Sequence, residues 1–486
     1  MRLSELFREV EFDGSIKNDA DINLVTDDSR LVRPGSLFVC IRHRSFDGHT
    51  AALDALASGA AAVVTQDRLG LENELRVADS RSAYARLCAA LCNHPERKLR
   101  LIGVTGTNGK TTVTTLIRNI LSDSGTKTLL TGTVCNRLGD ENLPSGLTTP
   151  KPPELYSLLS RAVSQRCKAC VMEASSQALA QGRLEGIDFD AAVFTNITRD
   201  HLDYHGTFEN YISAKKKLFE HSALSIVNLD DPRANEIIAA SKGKIITFST
   251  VLDCADYTAK NISLLSDCVH FELVSKGHIE HIEFASPGLF SVSNAMAAAV
   301  CAINLGIEPK DVAQSLAKSK SVCGRLERVE CSAPYSVIID YAHTPDGLEQ
   351  VLRALRPSCR GNLIVLFGCG GDRDRTKRPL MGAAACKYAD KIIVTSDNPR
   401  SEDPTKIIGD ILKGTDKKRR DLFVEPDRRK AIALALKTAE PGDTVLLAGK
   451  GHEKYQLIGG EKLPLDERET VRKILGLPHD TGRKKQ

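Results

Sequence analysis

With 486 residues, 42% apolar and 26% charged side chains and a formal net charge of +4, the chain has an ordinary globular composition. That length exceeds what one hydrophobic core organises, so about three domains are expected. So small a charge excludes the broad basic footprint of a nucleic-acid-binding surface. No run reaches the ~20 apolar residues that span a bilayer, and the stretch from Met1 to Gly14 lacks a signal peptide's apolar core. The expectation is a cytoplasmic protein with no membrane association, taken as a monomer. The 14 cysteines are scattered singly. The lone CxxC, Cys167 and Cys170, has no second pair or histidine cluster at metal spacing, so small buried hydrophobes are expected. The basic end at Arg483, Lys484 and Lys485 reads as a solvated tail.

Along the chain, short β-branched runs alternate with helical patterns, which predicts an α/β fold with largely parallel sheets. Polar stretches near Glu96–Lys98 and Glu330–Pro334 divide it into 1–98, 99–331 and 332–486. A strand at Leu101–Val104 runs into Gly106, Thr107, Asn108, Gly109, Lys110, Thr111 and Thr112. Beyond them Val113, Leu116, Ile117, Ile120 and Leu121 repeat at helical spacing, and Gly125 suits the stop. A strand, a glycine-rich turn and a helix in immediate succession surround a phosphate chain with backbone N–H groups and the helix dipole. Lys110 can then reach the β- and γ-phosphates, and Thr111 can coordinate Mg²⁺. The strict phosphate-loop pattern is missed only at its first glycine, where Val104 stands.

Two more predicted strands in this segment end in polar groups, Ala169–Met172 at Glu173 and Ala192–Phe194 ahead of Asp200 and His201. Ligands of open α/β sheets bind beyond the carboxyl ends of the strands, so Glu173 and His201 can face the nucleotide. Lys215 falls inside an apolar stripe of Tyr211, Ala214, Leu218 and Phe219. It is either a snorkelling stem or a desolvated amine with a lowered pKa. The alanine-rich stretch Ala295–Leu305 reads as a packed core helix. After Glu330, four predicted strands deliver polar cargo to one sheet edge. Val337–Ile339 leads to Asp340 and His343, and Leu363–Phe367 to Asp372 and Arg373. Ile392–Val394 leads to Asp397 and Arg400, and Val445–Leu447 to Gly449, Lys450, His452 and Glu453. Four such clusters together point to a site for a charged small molecule.

With these stretches assembled, the chain resembles the Mur ligases along nearly its whole length. The resemblance rests on Thr105–Thr112, Met172–Ser176, Thr195–Gly206, Gly324–Glu327, Asp340–Pro345, Asp397–Arg400 and Gly449–Glu453. It implies an amino-terminal α/β UDP-binding domain, a central P-loop ATPase domain with mostly parallel sheet, and a carboxyl-terminal Rossmann-like domain. The implied reaction is ATP-dependent amide ligation through an acyl phosphate, on a UDP-linked muramoyl dipeptide, UDP-MurNAc-L-Ala-D-Glu, in peptidoglycan synthesis. By this resemblance ATP lies on the loop from Gly106 to Thr112 with Asn294, Arg325 and Asp340. Thr111 and Glu173 hold one Mg²⁺, and His201 a second with a CO₂-derived carbamate on Lys215. Lys110, Glu173, His201 and Lys215 are then the catalytic set. Ser29, Thr148, Thr149, Ser175, Gln181 and Arg183 match contacts to the UDP-linked substrate.

Asp397, Asn398, Pro399 and Arg400 form the motif used in this family for meso-diaminopimelate, with Arg373, Gly449 and Glu453 completing the pocket. An arginine suits that amino acid, which differs from lysine by one carboxylate that a guanidinium can grip bidentately. Ligation of L-lysine is the nearest alternative. A P-loop kinase is more distant, since it leaves the carboxyl-terminal clusters and the first domain without work, and so is a silent nucleotide-binding scaffold, since Lys110, Glu173, His201 and Lys215 are all present.

Overall fold

The computed structural model describes residues 1–43, 46–416 and 418–478. The basic end at 483–485 lies outside the described residues. Within them the expected α/β alternation builds three principal sheets. The first pairs Leu24–Thr26, Ser36–Val39, Ala60–Thr65 and Glu74–Arg76 in parallel. The central sheet is eleven-stranded among the described residues. Within it, Arg100–Thr105 lies between Ala191–Phe194 and Ala169–Glu173, parallel to both. The three loops that leave these strands therefore open side by side at one sheet edge.

The third sheet lays Ser336–Asp340, Thr444–Ala448, Leu363–Phe367 and Lys391–Val394 side by side in parallel. Its four polar strand ends share one edge. Leu363–Phe367 and Thr444–Ala448 are buried at every position. Helices cover both faces of such strands, so they read as continuous apolar runs. The sheet also takes in Glu327–Arg328, antiparallel to Ser336–Asp340, on the amino-terminal side of residue 332.

The alanine-rich helix spans Leu289–Asn304 and is almost wholly buried, packed against the phosphate-loop helix Lys110–Asp123. Its small side chains let the two helices lie close behind the loop. The sequence reading made no claim for the ribbon Tyr257–Leu264, Val269–Ser275 and His278–Phe284, which extends one edge of the central sheet antiparallel. Here Val269, Phe271 and Leu273 turn inward, whereas His270 is exposed and Glu272 half-buried between them. That period-two pattern marks a ribbon with one solvated face. No disulfide joins the described residues, and Cys167 and Cys170 are buried, as expected. No helix among them is long and apolar enough to cross a membrane.

A fully buried ion pair underlies the third sheet's functional edge. Arg428 Nε donates to Glu467 Oε1 at 2.8 Å, and both side chains are 0% exposed. The same guanidinium donates to Ala448 O at 2.7 Å and Ser396 O at 3.3 Å, tying together two strand ends that carry loops of the site. Removing one partner of such a pair leaves an uncompensated buried charge, which costs about 3 kcal/mol or more. Arg428→Met is therefore expected to lower the urea midpoint of the carboxyl-terminal unit sharply. Arg428→Met with Glu467→Leu should recover most of that loss, because removing both charges removes the uncompensated one.

Candidate active site

The turn after Arg100–Thr105 is pressed against its neighbours. Gly109 has φ +87, and a Cβ there would lie 2.4 Å from Asn294 Oδ1, so glycine is required on both counts. Asn108 N donates to Asn196 Oδ1 at 3.0 Å, and Thr195 Oγ1 donates to Asn108 O at 2.6 Å. The adjacent strand end thereby fixes the loop. Lys110 Nζ donates to Gly106 O and Thr107 O, both at 2.8 Å. Lys215 Nζ donates to the same Gly106 O at 2.8 Å and sits 4.6 Å from the Tyr211 ring centroid. Its side chain is 1% exposed. Burial, reinforced by the neighbouring Lys110 cation, pushes the Lys215 amine well below the usual lysine range, and burial lowers Lys110 too. Of the two readings left open for Lys215, the desolvated amine is the one observed.

Glu173, at the end of its strand, accepts from Thr111 Oγ1 at 3.1 Å, Thr133 N at 2.8 Å and Thr133 Oγ1 at 2.9 Å. Arg325 Nη2 donates to Thr111 Oγ1 at 3.0 Å and lies 4.6 Å from the Tyr341 ring centroid. From Thr133 a hydroxyl chain runs outward. Its Oγ1 lies 3.0 Å from Thr148 Oγ1, placed to accept from it, and Thr149 Oγ1 lies 2.6 Å from Glu173 O and 3.1 Å from Ser175 Oγ. Arg183 Nη1 donates to Thr149 O at 2.7 Å, and Gln181 Oε1 accepts from Arg183 at 2.9 and 2.6 Å. Gln181 thus orients Arg183 and does not line the cleft.

Asp340 is pinned by Leu326 N and Ala342 N, each at 2.7 Å, and burial raises its carboxyl pKa. Its Oδ2 fixes the segment that carries Arg325, and its Oδ1 fixes its own loop at Ala342. His201 has left-handed backbone at φ +54, and its Nε2 lies 3.4 Å from Asp200 Oδ2. Burial lowers His201 to about 4 against the pull of Asp200. Asp200 is desolvated, yet His201, Lys377 and His343 hold it down at about 2.

One cavity of about 260 Å³ gathers the phosphate loop, Thr148, Thr149, Glu173, Ser175, Arg183, His201, Lys215, Asn294, Arg325 and Asp340. Two further groups of the expected residues lie outside it. Ser29 opens a short 3₁₀ turn beyond Leu24–Thr26, near Asp27, which pairs with Lys151 at 3.3 Å. The other is the carboxyl-terminal cluster. There Asn398 Nδ2 donates to Glu453 Oε2 at 2.9 Å and Arg400 Nη1 donates to Gly371 O at 2.7 Å. Arg373 and Arg400 flank Gly370. The hairpin Tyr455–Ile458 and Glu461–Pro464 braces this segment through Leu457 N to Asn398 Oδ1 and Arg400 N to Leu457 O, at 2.9 and 3.0 Å. Pro399, lacking an N–H, precedes the left-handed Arg400.

Thr133, His343, Asp346 and Lys450 were given no role by the sequence reading. Asn108 Nδ2 donates to Asp346 Oδ2 at 3.0 Å across the domain boundary. His343 Nδ1 is 2.7 Å from Tyr341 O. His343 and Lys450 did stand inside the strand-end clusters, a signal that could have found them. Thr133 and Asp346 carried none. Among the described residues no group of three or more His, Cys, Asp or Glu side chains is arranged to hold a metal ion.

A phosphate loop facing a second parallel sheet across a charged cleft defines a nucleotide-dependent enzyme of the α/β class. Three family models match in chain order. They are the Mur ligase family, catalytic domain, over residues 21–90, the Mur ligase middle domain over 104–302, and the Mur ligase, glutamate ligase domain, over 324–451. The chain is 43% identical over 479 residues to the UDP-N-acetylmuramoyl-L-alanyl-D-glutamate–2,6-diaminopimelate ligase of Caldanaerobacter subterraneus subsp. tengcongensis, covering 98% of this chain and 99% of that one. It is 42% identical over 487 residues, with the same coverage, to the ligase of that name from Syntrophomonas wolfei subsp. wolfei. A solved structure of a ligase of that name superimposes with TM-score 0.71 at 35% identity over 98% of this chain and 99% of that one. The MurF ligase of Thermotoga maritima in complex with ADP shares the fold at TM-score 0.61 and 19% identity, over 93% of this chain and 96% of that one. The chain belongs to the Mur ligase family, and is an ATP-dependent ligase.

Burial pushes His343 down to about 4. The unfolded chain, with an ordinary histidine near 6.5, then binds its proton more readily than the folded one. Stability from this group is full above about pH 6.5 and is lost as the pH falls toward 4. Thermal melts between pH 7 and 4 should show a falling midpoint, and His343→Gln should flatten part of that slope.

Proposed function

We propose that the protein joins meso-2,6-diaminopimelate to the D-glutamate carboxylate of UDP-MurNAc-L-Ala-D-Glu, with ATP as the phosphoryl donor. The carrying observation is Arg400, half-buried at the carboxyl end of its strand with Arg373, Asp397 and Glu453 around it. Full-length similarity to ligases bearing that name supports the same acceptor.

In this reading the loop amides and Lys110 hold the triphosphate and stabilise charge as the γ-phosphoryl passes to the substrate carboxylate. The two hydrogen bonds that Lys110 makes to carbonyls of its own loop are the ones a phosphate would replace. Thr148, Thr149, Ser175 and Arg183 orient the muramoyl dipeptide toward Glu173, and Ser29 is on the path of its uridine end. Attack by the acceptor amine on the acyl phosphate forms the amide and releases phosphate. Closure across the Asn108–Asp346 contact keeps water from the acyl phosphate.

Magnesium fits the residues present. Thr111 Oγ1 and Glu173 Oε2 are hard oxygen donors 3.1 Å apart, close to the ~3 Å between adjacent ligands of an octahedral ion with 2.0–2.1 Å bonds. Bound there, Mg²⁺ would neutralise charge on the transferring phosphate. Lys215, an amine whose charged form is disfavoured, can add to CO₂ and lose a proton. The resulting carbamate would give a second ion an anionic oxygen beside His201.

Phosphate release should require ATP, the UDP-linked dipeptide and meso-diaminopimelate together, with L-lysine a poor substitute. Arg400→Ala should raise the KM for meso-diaminopimelate roughly 10- to 100-fold, the loss of a charge-assisted pair. Preference for L-lysine in the wild type would overturn the acceptor assignment. Lys215→Ala should slow turnover at least about 100-fold, and ¹³C-bicarbonate should give a carbamate resonance in the wild type that the variant lacks.

A further inference from the structure

The loop after Thr444–Ala448 reads Gly449, Lys450, Gly451, and both glycines hold left-handed backbone at φ +105 and +52. A Cβ at Gly449 would lie 2.6 Å from Asp397 Oδ2, and one at Gly451 would lie 2.7 Å from the Tyr341 Cβ. Neither position accepts a side chain, so the backbone doubles back there and turns Lys450 inward. Lys450 is 0% exposed. Its ammonium donates to Glu453 Oε2 at 2.6 Å and Asn398 Oδ1 at 2.9 Å, and lies 5.3 Å from the Tyr455 ring centroid.

A buried ammonium must be paired, and here both hydrogen-bonding partners belong to the acceptor pocket. The pairing is directional. Asn398 Oδ1 accepts from Lys450 Nζ and from Leu457 N, which turns Asn398 Nδ2 onto Glu453 Oε2. Glu453 Oε2 thus takes two donors, and Oε1 stays outside this network. Asp397 Oδ2, beside Gly449, is buried without a hydrogen-bond partner among the described residues. Counting Arg400 itself, the cations Arg373, Arg400 and Lys450 then balance the carboxylates Asp372, Asp397 and Glu453. A receptor of that balance suits a zwitterion and not a plain cation.

We infer that Lys450 is a positioning residue for the acceptor's distal amino-acid end. It neutralises one oxygen of Glu453 and fixes Asn398, so that Glu453 Oε1 and Asp397 Oδ2 receive the distal ammonium while Arg400 takes the distal carboxylate. The inference rests on the acceptor reading given above.

The test compares meso-diaminopimelate with L-2-aminopimelate, which keeps the distal carboxylate and lacks the distal ammonium, in full-length wild type and Lys450→Met. The KM for meso-diaminopimelate should rise at least about tenfold, with KM for ATP and for the UDP-linked dipeptide within about twofold of wild type. The preference for meso-diaminopimelate over 2-aminopimelate should fall at least about fivefold. A loss shared equally by both acceptors would mean a structural role only, and an unchanged ratio would equally overturn the inference. Should Lys450→Met fail to fold, Lys450→Arg keeps the buried charge but not its geometry. Its ratio must still fall, and an unchanged ratio overturns the inference there too. A wild type that uses neither acceptor would instead refute the acceptor reading.

Discussion

Two lysine amines donate to one carbonyl. Lys110 and Lys215 both reach Gly106 O at 2.8 Å, inside a cleft where burial disfavours their charge. Like charges taken out of water and set on a single acceptor are tolerated only if something anionic relieves them. A carbonyl dipole does so in part. A triphosphate on Lys110, and on Lys215 conversion to an anion, would do so more completely. Much of the surrounding structure bears on that constraint. Gly106 and Gly109 have no side chain because the loop must press on Thr195 and Asn294. Tyr211 offers Lys215 a ring face at 4.6 Å, and Asp200 keeps its charge nearby.

The two larger sheets meet this constraint from opposite sides. Each ends its parallel strands toward the cleft, and polar contacts join the two across it, beside an apolar one where Phe290 packs against the carboxyl-terminal core. Asn108 reaches Asp346, and Arg325 reaches Thr111, both at 3.0 Å. Such contacts exchange readily with ligand groups, whereas a large apolar interface would not. The phosphate loop is thereby held in register with the carboxyl-terminal sheet by residues that also line or border the nucleotide cleft. Strand ends on both sides of the cleft position the chemistry.

What was legible in the sequence was local. The strand, turn and helix at 100–123 are contiguous, and so is each of the four strand-end clusters. Lys215 was conspicuous because four apolar neighbours flank it at helical spacing. The mixture of parallel and antiparallel strands was not legible, because alternation within a strand of the ribbon at 257–284 does not say which strand it pairs with or in which direction. The partners were hidden for a different reason. Asn108 and Asp346 are separated by 238 residues, and Thr111 and Arg325 by 214. Nothing in either local pattern announces the other. Thr133 is a short hydroxyl in an unremarkable turn until Glu173 is placed against it.

Strain follows the same geography. His201 and Arg400 are both non-glycine residues in left-handed backbone at φ +54, a conformation that costs of order 1 kcal/mol or more and persists where the surroundings over-determine it. At His201 the restraint is local. Its own N–H donates to Asp200 Oδ1 at 2.8 Å, and its carbonyl accepts from Tyr204 N and His205 N, both at 3.0 Å. At Arg400 it is supplied by the hairpin, through Arg400 N to Leu457 O at 3.0 Å and Gly459 N to Arg400 O at 2.8 Å. Asparagine or glycine would adopt either conformation at lower cost, so backbone preference does not account for the residues found. What the imidazole and the guanidinium gain is direction. A left-handed residue turns its side chain out of the strand-end path, His201 into the cavity and Arg400 onto Gly371 O in the carboxyl-terminal cluster, where Gly449 and Gly451 turn Lys450 onto Asn398 and Glu453.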